Sequence, residues 1–221
     1  YSIGMLVQLF ISGMNSALTP WMYSKIKKGD IRSMRKVLQL LSVVVVGIAV
    51  ALMLISPELV LIFGSPKYRE AVYVIPPVAA SVFFIFIYNI LSMPQFYYEK
   101  TQFLMAASMA AAGANVVLNF IFIRLFGYIA AGYTTLACYM LYSVGHYIVS
   151  KRILVNEGIQ ENLMSPGFLV ACSAFLIGAS IICNLIFPYR ILRYAILLAS
   201  AGLVFWKKEL LLKTMADIRK K

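Results

Sequence analysis

Apolar residues run along the chain in seven blocks, at 3–22, 37–62, 71–93, 103–123, 129–150, 168–187 and 191–206, and the charged residues collect in the gaps between them. Most blocks approach the roughly 20 residues that a helix needs to cross the hydrocarbon core of a bilayer. Long blocks of this kind predict helices that face lipid rather than water. The expected fold class is therefore all-α, a polytopic membrane helical bundle of about seven transmembrane helices.

Within the blocks the exceptions to the apolar rule are amides, hydroxyls, small residues and prolines. The first block holds Gln8, Ser12, Gly13, Asn15, Ser16 and Thr19, with Ser12 and Ser16 on one helical face where small side chains let helices approach closely. Trp21 follows as an interfacial anchor. The second block closes with Pro57 and Glu58. Pro76 and Pro77 lack backbone donors and should bend or delay the third helix. Near its other end Asn89, Ser92, Pro94 and Gln95 form a polar, kinked patch, which predicts a helix bordering a cavity, since freed backbone groups in a membrane need protein or water as partners. The fourth block is small-sided over 106–114 and then places Asn115 and Asn119 four residues apart on one face. The fifth opens with Gly127, Ala130, Ala131 and Gly132, a close-packing surface.

Charge adds direction to this picture. Of the 20 Lys and Arg residues, fifteen fall in the gaps after the first, third and fifth blocks and in the tail after the seventh, and five fall on the alternate side. The richer side is cytoplasmic by the positive-inside rule, which puts residue 1 outside and residue 221 inside. A net charge of +12 would suggest nucleic acid for a soluble domain. Here the cations are dispersed over short loops and a tail, so orientation and anionic lipid headgroups account for them without a nucleic-acid partner. With 62% hydrophobic and 13% charged residues, water is excluded as the solvent for most of the surface.

Cys138, Cys172 and Cys183 are odd in number, lie inside apolar blocks and lack metal-ligand spacing, so they read as packing residues, and no metal or cofactor is expected. The gap 153–167 is the longest internal one, polar and punctuated by Gly158 and Pro166. It divides the chain into a five-span portion at 1–152, a cytoplasmic connection at 153–167, a peripheral two-helix pair at 168–206 and a basic cytoplasmic tail at 207–221. The opening Tyr1, which runs almost directly into a block, predicts a fragment preceded by an odd number of spans.

Four stretches carry a family resemblance: NSALTPWMYSKIKKGD at 15–30, SPKYREAVYVIPPVA at 65–79, FYYEKT at 96–101 and NVVLNFIFIRLFGYIAAGYTTL at 115–136. In this order they resemble the C-terminal half of a polysaccharide flippase, the Wzx-like branch of the multidrug/oligosaccharidyl-lipid/polysaccharide superfamily. The resemblance implies two six-helix lobes around a central cavity, a terminal helix pair, and a missing N-terminal lobe of the same chain as partner. It also implies translocation of an undecaprenyl-pyrophosphate-linked oligosaccharide from the cytoplasmic to the outer leaflet of a bacterial inner membrane, with no covalent chemistry.

On that reading Asn15, Asn89, Asn115 and Asn119 are the substrate-path candidates, with Gln8 beside Asn15. Intramembrane amides equally bind other helices, at about 0.6 kcal/mol each. Arg124 is a candidate for the pyrophosphate or a snorkelling terminal cation. Glu58 is either a proton-responsive group or an interfacial carboxylate. His146, one turn from the cytoplasmic end of its block, fits interfacial packing better than a proton relay. Two rival functions stay open. A cation-coupled multidrug exporter of the same superfamily would be expected to carry an acidic residue deep in a span, and no block has one. A membrane glycan polymerase or glycosyltransferase needs a positioned base or metal-binding carboxylates. The reading chosen is a transporter and not an enzyme.

Overall fold

The structure, a computed structural model, describes the backbone of residues 2–64 and 66–206 and the side chains outside 1–8, 10, 65–68, 201 and 203–206. The predicted tail at 207–221 and the side chain of Gln8 lie outside the described residues. Eight α-helices follow one another among the described residues: α1 (Ser2–Lys27), α2 (Ile31–Leu54), α3 (Ser56–Phe63), α4 (Ile75–Tyr97), α5 (Gln102–Phe126), α6 (Ala130–Asn156), α7 (Pro166–Ile186) and α8 (Arg190–Trp206). A 3-10 stretch, Pro66–Tyr73, leads into α4. There is no strand among them, and the all-α membrane bundle stands. By length and composition alone four stretches among the described residues are long and apolar enough to cross a membrane: Ile31–Leu54, Arg69–Tyr97, Gln102–Phe126 and Pro166–Ile186.

The second apolar block is two helices. α2 ends at Leu54, and Pro57 sits in the first turn of α3, where its missing N–H costs nothing. Pro76 and Pro77 likewise occupy the first turn of α4, so they delay that helix rather than bend it. α4 is the most enclosed element. It packs chiefly on α6 and α2 and also touches α1 and α7, burying Phe83, Phe86, Ile87, Ile90 and Leu91. Around the predicted kink Ser92, Pro94 and Gln95 are buried in helix packing, whereas Tyr88 and Asn89 one turn earlier remain partly exposed. α5 is the opposite case, with no buried residue and its main contact on α6.

Helix ends sort onto two faces. At the first, α1, α4 and α6 close with the same paired backbone bonds: Asp30 N–H to Lys25 O (3.0 Å), Lys100 N–H to Gln95 O (2.8 Å) and Ile159 N–H to Leu154 O (2.8 Å). Each pairs with a left-handed residue, Gly29, Glu99 or Gly158, the Schellman arrangement that satisfies terminal carbonyls. Asp30 then caps α2 through Ser33 N–H (3.2 Å) and pairs with buried Lys25 (2.6 Å). Lys100 bridges Glu157 (2.7 Å), and Arg35 donates to Asn162 O (2.7 Å), so the three turns lie together. This is the face with the richer share of positive charge.

At the second face Tyr128 donates to Glu70 (3.0 Å), the Tyr73 ring sits 5.6 Å from Phe187, and Asn184 donates to the Tyr133 hydroxyl (2.9 Å). Arg193, only 3% exposed, forks onto Glu58 (2.8 and 2.9 Å) and donates to Leu54 O (2.6 Å), closing the end of α2, while Tyr194 adds a bond to Glu58 (2.9 Å). α7 packs on α2 and α4 through a face that buries Leu176, Ser180 and Cys183, and leaves Val170, Phe175 and Leu185 exposed.

Two outcomes follow from this packing. A Cβ on Gly132 would stand 2.8 Å from Pro77 Cγ and 2.9 Å from Val74 O, whereas Gly178 has nothing within 4 Å. Gly132→Val should therefore lower the thermal unfolding midpoint in detergent by several degrees, about 1–3 kcal/mol of overpacking, and Gly178→Ala should not; equal midpoints would contradict the close α4–α6 approach. Glu58→Leu strands a buried guanidinium and should cost about 3 kcal/mol. Adding Arg193→Leu to it should recover most of that loss, and a double variant no more stable than the single would show that the pair is not coupled.

Candidate functional site

The polar side chains of the spans converge where α4, α5 and α6 meet. α4 and α6 run the same way, with Gly132 against Val74 and Pro77 at one end and His146 against Gln95 at the other. α5 runs back between these ends along α6. Small residues permit this: Gly132 admits α4, and Gly145 lies where an added Cβ would be 3.2 Å from Phe103 of α5.

Asn115 and Asn119 do share a face, and that face meets α6. The Asn119 amide donates to Asn115 Oδ1 (2.9 Å) and its Oδ1 accepts from the Thr134 hydroxyl (2.6 Å). Thr134 also lies 3.1 Å from Ala131 O, but one hydroxyl has one proton, and the shorter contact takes it. The pair thus ties α5 to α6, and both residues remain partly exposed. Farther along the same two helices Ser108 and Tyr142 share a hydroxyl bond of 2.7 Å.

The deepest part of this seam carries His146 and Gln95, both fully buried. Gln95 Nε2 lies 2.7 Å from His146 Nδ1. A donating amide makes Nδ1 the acceptor and puts the ring proton on Nε2. Neither His146 Nε2 nor Gln95 Oε1 has a hydrogen-bond partner among the described residues. Around them stand the rings of Tyr142 (4.5 Å), Phe103 (5.4 Å) and Tyr88 (5.9 Å). His146 is a packing residue, fully enclosed, and its partner Gln95 stands two residues from the end of α4.

The other candidates make none of these interhelical contacts. Asn89 donates to Ile85 O of its own helix (2.7 Å). Asn15 sits on α1, partly buried, with its Oδ1 unpartnered among the described residues and its backbone carbonyl accepting from Thr19 (2.7 Å). Arg124 lies in the last turn of α5 with its guanidinium 3.8 Å from the Phe120 ring, the stacked arrangement of a terminal cation. Glu58 belongs to α3, beyond the end of the Ile31–Leu54 span. The Arg193 hydrogen bonds, opposed by burial and aided by Tyr194, hold its carboxyl well below the usual carboxylate range. A lowered value means that the stabilisation is complete above about pH 4–5 and fades only as pH falls through the lowered value. Such a group does not titrate near neutrality, so it serves as an ion-pair partner and not as a proton sensor.

Sequence reading missed three features: the Glu58–Arg193 fork, the Gln95–His146 contact and a group of tyrosines. Tyr88 stands 4.7 Å from Tyr142 and 6.2 Å from Tyr139. The only linear signal was the spacing of Tyr139, Tyr142 and His146 along one face of α6. Which helix faced them was not legible.

A family model described as MatE matches residues 1–121, which spans α1 to most of α5. No curated protein and no solved structure matched the chain. The matched part covers the bundle up to Asn115 and Asn119 and holds all of α4, the helix on which the seam is built. Matching over more than half its length, the chain belongs to the MatE family, the membrane transporters of the multidrug/oligosaccharidyl-lipid/polysaccharide superfamily.

Proposed function

We propose that this transporter carries a lipid-linked oligosaccharide from the cytoplasmic to the outer leaflet of a bacterial inner membrane by alternating access. The observation that supports this cargo is the chemistry of the seam. α4, α5 and α6 bring amides, hydroxyls and phenols to one seam and contain no Asp or Glu. An uncharged, polyhydroxylated cargo is held by such groups through hydrogen bonds, without the cost of burying ions. A cation exporter calls for a carboxylate that these three helices do not provide.

On this reading residue 1 faces outward and residue 221 the cytoplasm, so the basic turns after α1, α4 and α6 are cytoplasmic. The pyrophosphate would be met by cations outside the seam, in a second lobe that completes the cavity. The oligosaccharide would meet Asn115, Asn119 and their neighbours when the lobes part.

Loss of the full-length protein should leave lipid-linked repeat units on the cytoplasmic leaflet, and their continued arrival outside would refute the assignment. Replacing Asn115 and Asn119 together by Leu should reduce surface glycan about tenfold at unchanged membrane levels, a loss near 1.4 kcal/mol. Thr134→Val breaks the same interhelical bond while keeping both amides, so it should cost much less. An equal loss in the two variants would assign the pair to packing alone.

A further inference from the structure

Tyrosines in membrane helices ordinarily sit at the headgroup level, where a ring can be apolar and its hydroxyl wet. Three here do not. Tyr139 and Tyr142 are the tenth and thirteenth of the 27 residues of α6, and Tyr88 is the fourteenth of the 23 of α4. Each therefore lies well inside its helix, roughly 14–26 Å along it from either end at 1.5 Å per residue. A phenol placed there costs free energy that Phe or Leu would avoid.

The cost is not offset by burial in the core, because all three rings remain partly exposed and Ser108, which bonds the Tyr142 hydroxyl, is exposed. Two hydroxyls that share one bond keep a second proton and several lone pairs for a guest. Tyr88 and Tyr139 lie nearly parallel, 5° apart at 6.2 Å, and Tyr142 is tilted against Tyr88 at 4.7 Å. Behind them His146, 4.5 Å from Tyr142, is fully buried with a ring nitrogen that has no partner among the described residues. Apolar ring faces edged by hydroxyls, with a polar group unsatisfied behind them, match a guest that has C–H faces and hydroxyl edges.

We propose that Tyr88, Tyr139 and Tyr142, with Ser108, form a platform for a sugar ring of the cargo, an inference that rests on the oligosaccharide reading above. A lipophilic cation is the competing guest for aromatic rings. It is disfavoured because α4, α5 and α6 supply no carboxylate to accompany the rings. The platform recognises the sugar and leaves the lipid and the pyrophosphate to other parts of the transporter.

The test uses the purified full-length protein and two probes, undecaprenyl pyrophosphate alone and the same lipid bearing one N-acetylhexosamine. Wild type should bind the sugar-bearing lipid about tenfold more tightly. Tyr88→Leu and Tyr142→Leu should each abolish that gain while binding the sugar-free lipid as wild type does, which also reports that they are folded. Tyr142→Phe, which keeps the ring, should retain most of it. A wild-type gain that survives both Leu variants overturns the platform and leaves the transport reading standing. If wild type shows no gain and instead binds tetraphenylphosphonium in a Tyr88- and Tyr142-dependent way, both readings fall.

Discussion

Inside a bilayer a backbone carbonyl or polar side chain without a partner has no water to turn to, and most of the polar contacts in this chain answer that constraint. Helix ends show it best. The turns after α1, α4 and α6 fold back so that their N–H groups reach the last carbonyls, even where Glu99 must adopt a left-handed backbone that glycine would take more easily. At the other face, where α2 breaks before Pro57, a side chain takes over, and Arg193 reaches from α8 to Leu54 O while Glu58 neutralises it. The terminal helix pair is thereby joined to the same end of the bundle on which α4 and α6 begin.

The constraint also decides which chemistry the spans can hold. Charged groups are drawn to the two faces, where they pair or meet headgroups, and what remains between them is uncharged. Asn119 with Thr134, Ser108 with Tyr142 and Gln95 with His146 each satisfy one group with another from a neighbouring helix. The satisfaction is incomplete at several buried atoms among the described residues, among them His146 Nε2 and Gln95 Oε1 beside the tyrosines. A transporter of neutral, hydroxyl-rich cargo can use such a seam because the same groups that hold helices together can exchange partners with a sugar.

Blocks of apolar residues and the sorting of Lys and Arg were enough to foresee the helical columns, their alternation and the two faces, because these depend on solvation of each residue by itself. The break at Ile55 was hidden because the apolar run continues across it, and Pro57, which marks it, reads equally as the close of a helix. Pairing between helices was not legible either. Asn115 and Asn119 could be placed on one face, but not that Thr134 would meet them; His146 could be placed one turn from the end of its block, but not that Gln95 would meet it. Glu58 and Arg193, 135 residues apart, become partners only through the fold.

The central claim, an uncharged seam that serves a neutral glycan, is most directly tested by leaflet transfer with the full-length protein in sealed vesicles, loaded in parallel with a fluorescent lipid-linked oligosaccharide and with a lipophilic cation. The oligosaccharide should cross, and the cation gradient should stay as it began. Export of the cation with the oligosaccharide left on its original leaflet would contradict it.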